Sequence, residues 1–158
     1  MADARTLLRH TLATLAYRGG KAIRIAPASF SSHRDCDSSR TPAQILAHIG
    51  DLMDWGLSIA AGSETWHDST PLEWDKECAR FFAALKKFDD YLATDKPLQA
   101  PVEKLFQGPV ADALTHVGQI AMLRRMAGAP IKGESYYAAD IAIGRVGPDQ
   151  ASPRKEFD

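Results

Sequence analysis

Four stretches of the chain repeat apolar residues at the three-and-four spacing of a helix, each bounded by residues that start or stop helices. No stretch alternates as a strand does. The first carries Leu7, Leu8, Leu12, Leu15 and Ala16, with Gly19-Gly20 as its expected stop. Thr41-Pro42 then supplies a hydroxyl N-cap followed by proline at the first helical position, ahead of Ile45, His48, Ile49, Leu52 and Ile59 and an end near Gly62. Ser69-Thr70-Pro71 reads as the start of a third helix through Phe81, Phe82, Leu85, Phe88 and Leu92, closed by Asp95-Lys96-Pro97. After a short preface with Leu105 and Phe106, Gly108-Pro109 is expected to open the fourth. That helix is carried by Val110, Ala113, Leu114, Val117, Ile120 and Ala121, and Gly128 with Pro130 ends it.

Each stripe needs a partner, and four of them satisfy one another most simply in a bundle. The expectation is an all-α, up-down four-helix bundle, one domain over residues 1–158, with a long first crossover and an irregular tail. The crossover, Lys21 to Arg40, contains Pro27 and the polar run Ser31-Ser32-His33-Arg34-Asp35, and forms either an extended connection or part of a cleft rim. The tail, residues 131–158, has no helical period and is expected to wrap the bundle. A chain of 158 residues with 45% hydrophobic content buries a core without disulfides or a structural metal, so any metal here serves function.

Charge and cysteine usage narrow the function classes. Nineteen basic against twenty acidic residues give a net charge of -1, and the basic runs Arg124-Arg125 and Arg154-Lys155 are short, which argues against nucleic acid as a partner. Cys36 and Cys78 form no metal-binding or disulfide pattern and read as reduced thiols. Asp35 and Asp37 beside Cys36 are expected to blunt its reactivity by raising its pKa. No segment suits a signal peptide or a membrane span, so the expected setting is cytoplasmic, without a membrane. The glycine-rich loops of nucleotide binding are absent, so no nucleotide cofactor is expected.

The histidines carry the chemistry. His48 shares the inward stripe of its helix, and Asp112 and His116 lie four residues apart on one face of the last helix, with Gln119 continuing it. Two imidazoles and one carboxylate suit a divalent metal such as Zn, Ni or Fe with positions left open for substrate. The same pattern also fits hydrogen-bonded core histidines. Asp51 and Asp54 read as a solvated face, with a role for Asp51 in orienting an imidazole as the alternative. Trp55, Trp66 and Trp74 read as packing or interface aromatics. Tyr136 and Arg145 in the tail are candidates for lining a pocket, against a reading as loop packing.

The segment Arg40-Thr-Pro-Ala-Gln-Ile-Leu-Ala-His48-Ile-Gly-Asp resembles the second-helix motif of the DinB-like family. Gly108-Pro-Val-Ala-Asp-Ala-Leu-Thr-His116-Val-Gly-Gln119 resembles its last-helix motif, and Leu123-Arg-Arg-Met-Ala-Gly128 and Gly144-Arg145-Val146-Gly147 are similar in character. The resemblance implies a four-helix bundle, often a homodimer, holding a divalent metal through one histidine of the second helix and two of the last. His48 and His116 fall on the first and last of these, and Asp112 stands where the family usually has histidine. This implies a His-Asp-His variant with altered metal preference, or a member whose site has decayed. The implied chemistry is metal-dependent hydrolysis or thiol transfer on a small-molecule substrate. The rival is a non-catalytic dimeric bundle that binds a small ligand or protein partner, in a stress response.

Overall fold

The structure is a computed structural model describing residues 3–157, so residues 1, 2 and 158 of the expected domain lie outside it. Its long helices are α1 (Ala4–Ile23), α2 (Pro42–Ala60), α3 (Trp74–Leu92) and α5 (Ala111–Met126), the last preceded by the short α4 (Val102–Leu105). Helix α2 packs against α3 and α5, and α1 closes the arrangement by packing against the same two. The core between them is built from the predicted stripes: Leu12 and Leu15 of α1, Ile49 and Leu52 of α2, Phe81, Leu85 and Phe88 of α3, Val117 and Ile120 of α5. The chain is thus mostly helical, as the periodicity requires.

Helix α2 begins as its sequence dictates. The Thr41 hydroxyl accepts from the Gln44 backbone N–H, and the Gln44 side chain accepts from the Thr41 N–H, a complete capping box ahead of Pro42. Its far end passes into Gly62 at φ +80°, and α5 passes into Gly128 at φ +74°.

Three helix boundaries differ from the sequence expectation. Helix α1 runs through Gly19-Gly20 to Ile23. Gly19 is there for close approach: a Cβ on it would stand 2.5 Å from Cζ of the fully buried Phe81. Gly19→Ala should therefore forgo the roughly 1 kcal/mol that alanine normally gains in a helix interior and cost about 1–2 kcal/mol instead, read by urea denaturation. Helix α3 starts at Trp74, since Ser69 gives its N–H and hydroxyl to the Asp51 carboxylate and Glu77 accepts from the Leu72 N–H. The start signal is spent on a tertiary contact. Finally, Gly108-Pro109 lies within a helical run instead of opening one: α4 passes through a π-turn, Phe106–Val110, into α5. A wide turn accommodates the missing proline N–H, and it resets the phase of α5 just before Asp112.

The tail packs along α1. Gly133–Glu134 (β1) pairs antiparallel with Glu156–Phe157 (β2), a ladder too short to show alternation in the sequence. Buried Lys21 donates to Glu134 at 2.7 Å and to Glu156 at 2.8 Å, and the Tyr17 hydroxyl donates to Glu134. Arg124, also buried, donates to the carbonyls of Ala22, Arg24 and Ala129 and so joins the ends of α1 and α5.

Candidate metal centre

The π-turn and the α2–α5 packing decide which side chains meet. Ile45, Ile49 and Leu52 turn into the core, leaving His48 at the edge of that stripe, half-buried toward α5. From α5, Asp112 and His116 project one turn apart on the face that meets it. The ligating atoms of His48, Asp112 and His116 all lie within 4.8 Å of one another. One Asp112 oxygen stands 3.7 Å from His48 Nε2, and the other stands 3.4 Å from His116 Nε2. The two imidazoles meet edge to face, centroids 4.8 Å apart.

These separations bear on two arrangements. A direct N–H···O bond spans about 2.7–3.2 Å, so the carboxylate is too distant to be an ordinary hydrogen-bond partner of either ring. Ligands about 2.0–2.1 Å from a tetrahedral zinc ion lie roughly 3.3–3.4 Å from each other. The 3.4 and 3.7 Å pairs, made through different Asp112 oxygens, are near that spacing, and a set reaching 4.8 Å would draw together around an ion. Two nitrogens and a carboxylate oxygen are a donor set for Zn, Ni or Fe.

The surroundings set the orientation of one ring and the basicity of the other. His116 Nδ1–H donates to Gln119 Oε1 at 2.8 Å. A carbonyl oxygen only accepts, so the proton sits on Nδ1 and the Nε2 lone pair faces the centre. Burial pushes the His48 pKa below 6.5, the neighbouring His116 and Arg40 add to this, and Asp112 opposes it. The folded state therefore disfavours protonated His48. Stability from this group is full above about pH 6.5 and declines as pH falls through the lowered folded value. NMR titration of His48 in metal-free protein should give a midpoint below 6.5, and Asp112→Asn should move it lower still.

A cleft of about 790 Å³ opens beside the triad. Ser39 and Arg40 form one edge, so the end of the crossover is a cleft rim, while Ile45, Met122 and Leu123 provide apolar wall. Trp66 stands edge-on to His48 at 5.6 Å and to Trp55 at 5.8 Å, which places two of the three tryptophans in a ladder beside the centre. Trp74 packs against Phe30 instead.

The other candidates are engaged by other partners. Asp51 is buried, not solvated, and its carboxylate is taken by Ser69 and Arg80, which leaves no contact with an imidazole. Burial works against its charge, yet those bonds hold its pKa below the usual carboxylate value. Asp54 faces Arg80 at 3.6 Å. Tyr136 packs edge-on to Tyr17 beneath Arg18, and Arg145 bonds the Asp140 carbonyl, so both serve tail packing. Cys36 is exposed and hydrogen-bonded by Ser38 and Ser39, which lower its pKa, contrary to the expectation from Asp35 and Asp37. Burial pushes the Cys78 thiol up to about 12. Arg40, Trp66 and Met122 were not singled out for this site; only the place of Arg40, immediately before the Thr41 cap, hinted at it. No protein-family model, curated protein or solved structure matches the chain.

Proposed function

We propose that this chain is a divalent-metal-dependent enzyme of the DinB-like type, an up-down bundle whose metal is held by His48, Asp112 and His116 between α2 and α5. The observation that supports it is the convergence of two imidazole nitrogens and a carboxylate within 4.8 Å at the foot of an open cleft. A divalent ion there would supply a Lewis acid that stabilises the deprotonated form of a bound water or thiol, the basis of hydrolysis or thiol transfer. Gln119 holds His116 with its Nε2 inward, and the depressed basicity of His48 keeps its nitrogen free for a ligand at neutral pH. The apolar wall of Ile45 and Leu123 excludes water from one side of the reacting group.

Calorimetric titration of the full chain with Zn²⁺ or Ni²⁺ tests this: one ion should bind per chain with micromolar or tighter affinity. Absence of saturable binding by either ion overturns the proposal. If His48→Ala and His116→Ala lower the melting temperature while leaving metal affinity unchanged, a non-catalytic bundle with hydrogen-bonded histidines is the better account.

A further inference from the structure

Arg9, Arg80 and Arg145 each face a carboxylate, but Arg40, which is exposed, makes no ion pair or side-chain hydrogen bond among the described residues. Its position is not arbitrary. It stands immediately before the capped start of α2 and lines two recesses that meet at His48: the large cleft, and a smaller polar one of about 330 Å³. Its charge is felt at His48. In the large cleft Arg40 is the one cationic side chain among the described lining residues, and Ile45, Met122 and Leu123 make the apolar wall. In the smaller recess the Asp51 carboxylate is already occupied by Ser69 and Arg80, and Asp68 lines the space without pairing with Arg40.

We propose that Arg40 is the specificity-determining residue of this cleft and pairs with a small organic monocarboxylate whose apolar body lies along Ile45, Met122 and Leu123. A guanidinium fork matches a carboxylate in plane and charge. A single cation matches a monoanion, and the cleft lining holds no second Lys or Arg among the described residues to balance a phosphate dianion. A cleft of about 790 Å³ is within the size range of sites that enclose small ligands. Gly118 contributes by omission, since a Cβ there would meet nothing within 4 Å and the wall stays open.

The inference rests on reading the cleft as a substrate site, but its test is independent of the metal. In EDTA-treated full-length protein, hexanoate, hexanamide and hexyl phosphate are titrated by ¹H–¹⁵N NMR. Hexanoate should bind about fivefold more tightly than hexanamide, within what an exposed ion pair supplies, shifting Arg40 and Gln119 signals. Arg40→Gln should reduce that preference to near unity, and Gly118→Leu should weaken both ligands. Equal affinity for hexanoate and hexanamide, a preference that survives Arg40→Gln, or tighter binding of hexyl phosphate overturns the inference. A carboxylate preference without zinc binding would overturn the metal reading alone, and zinc binding without the preference would overturn only the role of Arg40.

Discussion

Replacing His116 with alanine should lower zinc affinity by at least about 100-fold, with little effect on the fold. Groups that merely orient a ligand commonly contribute 10–100-fold to metal affinity, and His116 is proposed as a ligand itself. The substitution also removes the partner of Gln119, which is exposed and can turn to solvent without penalty. Gln119→Ala should accordingly give the smaller loss of about 10-fold, because the ring keeps its place on α5 but loses the acceptor that selects its tautomer. Competition with a zinc-responsive chelator measures both. Equal affinities for the wild type and His116→Ala would remove His116 from the site.

The second large effect lies far from the cleft. Lys21→Ala should destabilise the protein by roughly 3 kcal/mol, about 6–12 °C in melting temperature for a chain of this size. The cause is the buried carboxylate of Glu134, whose side chain is fully buried and would retain only the Tyr17 hydroxyl as partner. Burial opposes the Lys21 charge, but its bonds to Glu134 and Glu156 outweigh this and raise its pKa above 10.5. The Lys21 bond to Glu156 in turn lowers that carboxyl below 4.5. The signs set the pH window. The Lys21 contribution is complete below about pH 10.5 and is lost as pH rises through its higher folded value. The Glu156 contribution is present above about pH 4.5 and is lost as pH falls through its lower folded value. Lys21→Met combined with Glu134→Gln should recover much of the loss, since neither then leaves a buried charge alone. A deficit below 1 kcal/mol for Lys21→Ala would make the tail latch incidental to stability.

What could be read in advance follows a physical line. The start of α2 was legible because Thr41, Pro42 and Gln44 satisfy one another locally, and the core stripes were legible because burial of one helix face imposes a period. Ser69-Thr70-Pro71 carried the same kind of signal, but a distant partner, Asp51, captured it. Gly19 looked like a stop because its neighbour in space, Phe81, is 62 residues away in the chain. The site divides in the same way. Asp112 and His116 share a helix face by spacing alone, and His48 follows from its stripe. The places of Arg40 and Trp66 beside the centre depend on how the crossover and the loop after α2 fold back, which no local pattern encodes. Tyr136 and Arg145 were plausible from composition, but the tail is drawn to α1 by the Lys21 cluster.

Zinc K-edge X-ray absorption on the wild-type chain loaded with one equivalent of Zn²⁺ tests the centre most directly. Ligation by His48, Asp112 and His116 predicts a nitrogen and oxygen shell at about 2.0–2.1 Å with the outer scattering of two imidazoles, reduced to one in His116→Ala. A sulfur shell at about 2.3 Å, or outer scattering that does not change with His116→Ala, would contradict it.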